Sequence, residues 1–270
     1  MFEKYPNYEF WIGDIRNPDV CLKACDGIDY VSHQAALGSV PRSVSDPIST
    51  NEVNVNGFVN MITAAKNAGV KTFVYASSSS VYGDETVLPK VEEKTGNLLS
   101  PYAVSKMANE LYAQVFSNLY GMKIAGLRYF NVFGPRQDPN GPYAAVIPLF
   151  IKGILNQSPV YIYGDGEQTR DFTFVENAVQ ANIRGMLSEN DAAYNNVYNV
   201  AVGENFSVNY LYKAIAEILN IDHKPIHKAP RNGDIHDSLA DISKAGKLLN
   251  YQPTTQFLDG LKLTVQSFSD

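Results

Sequence analysis

The chain has 270 residues, 45% of them hydrophobic, and a formal net charge of −6 at pH 7. This acidic balance argues against binding to the backbone of nucleic acids, and no apolar run approaches the roughly 20 residues that a membrane helix needs. The opening stretch MFEKYPNYEF lacks the basic region and apolar core of a signal peptide, so we expect a cytoplasmic protein.

The first half of the chain alternates between predicted strands and helices. The strands are YEFWI, which ends at Asp14, then IDYVSH, KTFVYAS and KIAGLRYF. The helices run from Asn17-Pro18 to Gly27, from Asp46-Pro47 to Gly69, and from Ser100-Pro101 to Gly121. Pro in the first turn and Gly after the last turn are typical helix boundaries. The alternation predicts an α/β fold with a doubly wound parallel sheet and helices on both faces.

The connections shorten after Phe133. PVYIYGDGEQTRDFTFV predicts two short strands around a Gly-rich turn, and a helix follows. The strand NVYNVAV comes next, and two more helices are predicted over NYLYKAIAEILN and ISKAGKLLN.

The cysteines and histidines do not indicate a metal site. Cys21 and Cys25 lie four residues apart on one face of a predicted helix, where two small core residues are a better interpretation than a disulfide or a metal pair. His223 and His227 have a ligand-like spacing, but Pro225 between them breaks helical geometry and no cysteine or carboxylate cluster joins them.

Polar or small residues end each predicted strand of the first half. They are Asp14, the run His33 to Ala36, the run Ser77 to Ser80, and the run Tyr129 to Asn131. Doubly wound sheets bind ligands at the carboxyl ends of their strands. The sequence therefore predicts a ligand site at that edge.

Tyr102 and Lys106 are four residues apart in SPYAVSK and so share one helix face. A tyrosine with the usual pKa of about 10 is a poor base at neutral pH, and a nearby ammonium favours its phenolate form. Ser78, 24 residues upstream of Tyr102, could bond the same hydroxyl. A general base is one interpretation; a packed tyrosine beside a solvated lysine is the other.

Eight stretches together resemble the extended short-chain dehydrogenase/reductase family, in particular its nucleotide-sugar 4-epimerases. They are GDIRN, HQAALGSVPRS, NVNG, YASSSSVYGD, SPYAVSK, RYFNVFGPRQDP, GDGEQTRDF and RNGDIHDSLADI. The resemblance spans Gly13 to Ile242 and implies a Rossmann-like fold, bound NAD and a homodimer formed by the two long helices. It also implies a NAD-binding domain at residues 1–135 and a substrate domain, mainly at 136–270, interleaved with returning segments of the first.

The resemblance implies a role for each matching residue. Tyr102 would be the base, Lys106 would orient the ribose of NAD and lower the tyrosine pKa, and Ser78 would assist. The other cofactor contacts would be Asp14 and Ile15 at the adenine, and Ala35, Ala36 and Tyr129. The nucleotide sugar would touch Asn131, Gln137, Ala145, Val146 and Tyr161, with Arg170 and Arg231 at its diphosphate and Asp234 at its ribose. For each arginine taken alone, the alternative interpretation as a solvated surface charge stays open.

Five further positions bear on the substrate. Ser79 and Ser80 stand where the family's dehydratases carry an Asp-Glu pair, so a dehydratase is disfavoured. Ser238 matches the wall of the sugar pocket and leaves room for an N-acetyl group, and Gly38 and Ser39 resemble the enzymes that prefer N-acetylhexosamines. We expect a UDP-N-acetylglucosamine 4-epimerase. Another epimerase or reductase of the family, or a non-catalytic nucleotide-sugar binder, stays open.

One family feature is not found in the sequence. None of the 19 glycines forms the G-x-G-x-x-G or G-x-x-G-x-x-G pattern of a dinucleotide-binding loop. On the order of 60 residues, about two strand-helix units, are absent relative to the family. A fragment of a longer enzyme and a shortened homologue are both open, and the intact catalytic set favours the fragment. From this sequence we expect weak NAD binding, little turnover and a tendency to aggregate.

Overall fold

The computed structural model describes residues 5–140, 145–230 and 236–268. Its strands are β1 (Tyr30–His33), β2 (Thr72–Ser78), β3 (Ile124–Tyr129), β4 (Val132–Phe133), β5 (Tyr161–Tyr163), β6 (Thr169–Arg170), β7 (Thr173–Phe174), β8 (Asn196–Val200), β9 (Phe206–Ser207) and β10 (Ile226–Lys228). Its α-helices are α1 (Pro18–Cys25), α2 (Val40–Ser45), α3 (Pro47–Asn51), α4 (Gly57–Ala68), α5 (Pro101–Tyr120), α6 (Val146–Leu155), α7 (Val175–Met186), α8 (Val208–Leu219), α9 (Ser243–Leu249) and α10 (Phe257–Gln266).

The central sheet is parallel throughout and has the strand order β1-β2-β3-β8. Successive residues of a strand point to opposite faces. Phe73 and Tyr75 of β2 therefore pack with α1, α4 and α5, whereas Val74 packs with α7 and α9 on the other face. The predicted doubly wound sheet with helices on both faces is confirmed.

The long helices begin and end where the sequence predicts. Asn17 accepts the Asp19 N–H at 2.9 Å at the start of α1, and Gly69 ends α4 with a φ of +69°, which favours glycine. The helix predicted from Asp46 is continuous but not uniform, because a π-helical turn (Glu52–Asn56) joins α3 to α4. Cys21 and Cys25 are buried free thiols in the core between α1 and α4, as expected.

A second core lies between α6, α8 and α10. Its large side chains include Phe133, Ile151, Leu211 and Phe257. The chain returns to the central sheet in α7, β8 and α9, whose residues pack in the sheet's own core. The position of a boundary between two domains stays a prediction.

Two strand predictions need correction. YEFWI forms no strand: residues 8–12 pair with no strand among the described residues, and Phe10, Trp11 and Ile12 are exposed. A strand exists only through its ladder of hydrogen bonds, so β propensity alone was insufficient. The Gly-rich turn is flanked by β5 and β6 as predicted, but these strands pair with β10 and β9 and not with each other. The sequence also missed α2, α6 and α10.

Candidate active site

The carboxyl ends of β1, β2 and β3 lie side by side. β1 ends at His33, opposite Tyr75, and β2 ends at Ser78, opposite Tyr129 of β3. Parallel strands end at one edge of their sheet, so this edge gathers side chains that are far apart in the sequence.

Helix α5 carries Tyr102 and Lys106 to this edge. Ser100 Oγ accepts the Ala103 N–H at 3.1 Å and fixes the start of the helix one turn before Lys106. Lys106 is 3% exposed, and its Nζ donates to the Ala76 carbonyl of β2 at 2.8 Å. Burial lowers the pKa of Lys106 to about 8, so the side chain is mainly an ammonium at neutral pH. An ammonium has three donors, and this bond uses one of them.

The Tyr102 hydroxyl lies next to Ser78. Burial raises the pKa of Tyr102, and a hydrogen bond from Ser78 lowers it. Burial has the larger of these two effects, and the Lys106 ammonium lies 5.9 Å from the centre of the tyrosine ring. That Lys106 lowers the tyrosine pKa stays a prediction. Tyr102 is therefore a neutral phenol at neutral pH in the absence of a further positive charge.

The serine run occupies the acceptor sites of the Ser78 hydroxyl. Ser78 Oγ accepts from the Ser80 N–H at 3.2 Å and from Ser80 Oγ at 2.9 Å, and so starts the 3-10 turn Ser79–Tyr82. With both lone pairs occupied, its own proton is free to point at Tyr102. Ser79 and Ser80 thus present hydroxyls, and no carboxylate, directly after Ser78.

A buried ion pair behind the site was missed by sequence reasoning. Arg128 of β3 donates to both carboxylate oxygens of Glu110 on α5, at 2.9 and 2.8 Å, and Ser77 donates to the same carboxylate at 2.5 Å. Glu110 is one helical turn beyond Lys106, so this pair fixes α5 against β2 and β3. Glu110 follows Lys106 by four residues and Tyr102 by eight, and this helical spacing could have identified it in the sequence.

Tyr129 is held by two amides on its own face of the sheet. Its hydroxyl donates to Gln34 Oε1 at 3.1 Å and accepts from Asn182 Nδ2 of α7 at 2.6 Å. Burial raises the pKa of Tyr129 to about 12, so it stays protonated. No local pattern marked Asn182, which reaches the site only through the packing of α7.

The loop after β1 carries Ala35, Ala36, Gly38 and Ser39. Ser39 Oγ accepts the Arg42 N–H at 3.1 Å and starts α2. Leu37 lies between Ala36 and Gly38, and the Asn54 side chain binds its main chain. Asn54 accepts the Leu37 N–H at 2.7 Å and donates to the Leu37 carbonyl at 3.2 Å. Asn54 also donates to Ser105 of α5 at 3.1 Å. Asn54 lies in the π-helical turn and was not predicted, although the stretch NVNG contains it.

Asp14 and Ile15 lie between residues 8–12 and α1, near the start of α4. Arg16 binds the Asp14 carboxylate and holds its pKa at about 2. The Ile15 carbonyl accepts from Asn60 at 3.0 Å, and its side chain occupies the space that a Cβ on Gly57 would need. That close approach explains the glycine in NVNG.

The remaining predicted residues all follow β3 in the chain. Hydrogen bonds of residues 169–171 connect Asn131, Arg170 and the segment that contains Ser238. The Asn131 side chain donates to the Asp171 carbonyl, and residues 170 and 171 bond to residues 236–240. Tyr161 begins β5 and lies under Lys228, whose Nζ is 3.4 Å from the ring centre. Arg231 and Asp234 lie outside the described residues.

The last three predicted residues precede or begin α6. Ala145 and Val146 are its N-cap and first residue. Gln137 has a buried side-chain oxygen without a hydrogen-bond partner among the described residues. An orphaned buried acceptor is uncommon and is suited to an N–H or O–H of a ligand.

Metal sites and membrane spans are two further classes of feature to consider in the described residues. Within them, no set of three or more His, Cys, Asp and Glu side chains is arranged to hold a metal ion. In the same part of the chain, no helix has both the length and the apolar character needed to cross a membrane.

Residues 2–201 match the NAD dependent epimerase/dehydratase family. Among curated proteins, the UDP-glucose 4-epimerase of Mycolicibacterium smegmatis is 37% identical over 268 residues, which cover 98% of this chain and 84% of that one.

Two solved structures are similar over almost the whole chain. The UDP-N-acetylglucosamine 4-epimerase of Methanobrevibacter ruminantium, in complex with UDP-N-acetylmuramic acid, is 41% identical with a TM-score of 0.93 and is matched over 100% of this chain and 87% of that one. The UDP-glucose 4-epimerase of Thermus thermophilus, in complex with NAD, is 32% identical with a TM-score of 0.88, over 99% and 87% respectively.

Proposed function

The chain belongs to the NAD-dependent epimerase/dehydratase family, and we propose that it inverts carbon 4 of a UDP-sugar, with UDP-N-acetylglucosamine as the preferred substrate. The observation that carries this proposal is the placement of Tyr102, Lys106 and Ser78 at one edge of the sheet, with Ser78 next to the tyrosine hydroxyl. A tyrosine so placed can take and return the proton of a sugar hydroxyl.

The described residues fit the two ends of NAD. Lys106 has N–H donors left for the hydroxyls of the nicotinamide ribose, and Asp14 offers an acceptor at the adenine end, with Ile15 beside it. Ala35 and Ala36 follow the end of β1, and Tyr129 ends β3 opposite Ser78. When bound, NAD supplies a hydride acceptor and a positive charge.

The phenol of Tyr102 is neutral without the cofactor. Its phenolate form would be favoured by the positive charge of bound NAD and by the donated proton of Ser78, both of which would oppose the effect of burial. Tyr102 then accepts the proton of the 4-hydroxyl as carbon 4 is oxidised. It returns the proton after the 4-keto sugar has turned its other face to the cofactor.

The choice of sugar rests on the pocket residues. Ser238 is small, so a pocket wall that it forms would leave room for an acetamido group at carbon 2. The other proposed substrate contacts are Asn131, Gln137, Ala145, Val146, Tyr161, Arg170, Gly38, Ser39, Ser79 and Ser80. The unpartnered oxygen of Gln137 supports its part in this set.

Ser238→Tyr tests the substrate assignment. The larger side chain should lower activity on UDP-N-acetylglucosamine and preserve or raise activity on UDP-glucose, because a clash rejects the bulkier sugar. Both activities are measured by proton NMR with NAD in excess. An unchanged ratio would show that Ser238 does not border the sugar.

The outer face of α5 supports the proposed homodimer. Val104, Leu111, Val115 and Leu119 lie on that face and are each about half exposed or more. Their spacing forms one apolar stripe along the helix, which a second copy could cover. Sedimentation analysis of Leu111→Glu against the unchanged chain tests this, with loss of the dimer as the expected result.

A further inference from the structure

A buried carboxylate lies beside the sugar end of the proposed site. Asp171, between β6 and β7, is 0% exposed. Its oxygens accept the N–H groups of Val202 at 3.0 Å, Gly203 at 3.1 Å and Ala240 at 3.3 Å. Burying a carboxylate is costly unless its oxygens are bonded, and here they join the chain after β8 to a segment almost 40 residues further on.

That segment, residues 236–240, contains Ser238, and we name it the wall segment. The two residues before Asp171 bind it as well. Thr169 N–H donates to the His236 carbonyl at 3.0 Å, and Thr169 Oγ1 donates to Asp237 at 2.8 Å. Arg170 Nη1 also donates to the His236 carbonyl, at 3.1 Å. Residues 169–171 therefore hold the wall segment at both of its ends.

Asp171 also holds Asn131 from the other side. Its carbonyl accepts the Asn131 side-chain N–H at 3.1 Å. Asn131 has a φ of +33°, a backbone conformation that residues other than glycine rarely adopt. Such a conformation persists only where neighbouring contacts enforce it. One residue thus connects Asn131 to the segment that carries Ser238.

We propose that Asp171 is a positioning residue of the sugar pocket, which fixes the wall segment relative to Asn131 and to the end of β8. This rests on the proposed function, in which Asn131 and Ser238 contact the nucleotide sugar. A fixed wall discriminates between sugars by shape. A wall that is ordered only when a sugar binds lowers the affinity for every sugar and discriminates less.

The test compares Asp171→Asn with the unchanged chain. Titration calorimetry with NAD in excess gives the dissociation constants of UDP-N-acetylglucosamine and UDP-glucose. Because the amide cannot accept all three N–H groups, both constants should rise by about fivefold or more, and their ratio should move toward one. Thr169→Val keeps the shape and removes the side-chain bond to Asp237, together with the bond that the Thr169 hydroxyl accepts from Asn205. It should act in the same direction by a smaller factor, and it serves if Asp171→Asn does not fold.

Asn177→Ala is the matched control. Asn177 is also fully buried and accepts two main-chain N–H groups, of Thr254 at 2.9 Å and Thr255 at 3.1 Å, before α10. It should lower the urea midpoint of unfolding and leave the ratio of the two constants unchanged. If Asp171→Asn and Thr169→Val behave like this control, Asp171 is merely structural and the proposal is overturned.

Ser238→Tyr separates this proposal from the proposed function. If Ser238→Tyr changes the ratio of the two dissociation constants and the Asp171 and Thr169 variants do not, only the positioning role of Asp171 is wrong. If Ser238→Tyr leaves the ratio unchanged, the assignment of the sugar pocket is wrong, and the role of Asp171 in it is wrong as well.

Discussion

The side chain of Lys106 donates a hydrogen bond to the main-chain carbonyl of Ala76 at 2.8 Å, which joins helix α5 to strand β2 two residues before Ser78. This contact fixes the separation between the helix that carries Tyr102 and the strand that carries Ser78. It also places an ammonium in a nearly fully buried position, at a cost to folding.

Lys106→Met should stabilise the fold and abolish turnover. Burial lowers the pKa of Lys106 from 10.5 to about 8. Between these two pH values the unfolded chain binds more protons than the folded chain, so the free energy of unfolding decreases as the pH falls through this range. Below it, the buried ammonium destabilises the folded state by a constant amount. Removing it should add about 2 kcal/mol at neutral pH, after about 1 kcal/mol is subtracted for the lost hydrogen bond. Urea unfolding at neutral pH measures this. A variant that is clearly less stable than the unchanged chain would contradict the assigned cost.

Ser80→Ala should make Tyr102 a weaker acid. Without the Ser80 hydroxyl, Ser78 regains a free lone pair and can accept a bond from the neutral phenol, which favours the protonated form. The acid limb of the pH–rate profile should move to higher pH by roughly half a unit. Ser80→Thr should restore the profile.

Ser207→Ala is the control for that shift. Ser207 Oγ accepts the Tyr210 N–H at 3.1 Å at the start of α8, so the variant loses a serine cap far from Tyr102. Its pH profile should match that of the unchanged chain. Equal pH–rate profiles for Ser80→Ala and Ser207→Ala would show that Ser80 does not affect the pKa of Tyr102.

His33 should make the fold sensitive to mild acid. It is buried between Phe58 and Phe73, and burial lowers its pKa from 6.5 to about 4. The folded state holds the neutral ring, so this contribution is complete above pH 6.5 and is lost as the pH falls toward 4. The loss amounts to about 3 kcal/mol. Urea unfolding at several pH values should show a steeper decline for the unchanged chain than for His33→Gln, and parallel curves would contradict this.

Local sequence patterns predicted the parts of the site that depend on spacing. Tyr102 and Lys106 share a helix face because they are four residues apart, and Ser78 ends a strand because an apolar run stops there. Asn54, Asn182 and Asp171 escaped notice, since each contacts a segment that is distant in the sequence and only the fold decides which one. The same reason explains YEFWI, whose strand character requires a neighbouring strand, and the two- and three-residue strands, whose pairing is tertiary.

The most direct test of Tyr102 as the base of a UDP-sugar 4-epimerase is proton NMR of UDP-N-acetylglucosamine incubated with the chain and excess NAD. We expect detectable but slow conversion to UDP-N-acetylgalactosamine, because none of the glycines forms a dinucleotide-binding loop. Tyr102→Phe should reduce the rate by several orders of magnitude while calorimetry shows UDP binding within about twofold of the unchanged chain, because only the proton acceptor is lost. No conversion by the unchanged chain, or conversion by Tyr102→Phe at a similar rate, would contradict the proposed function.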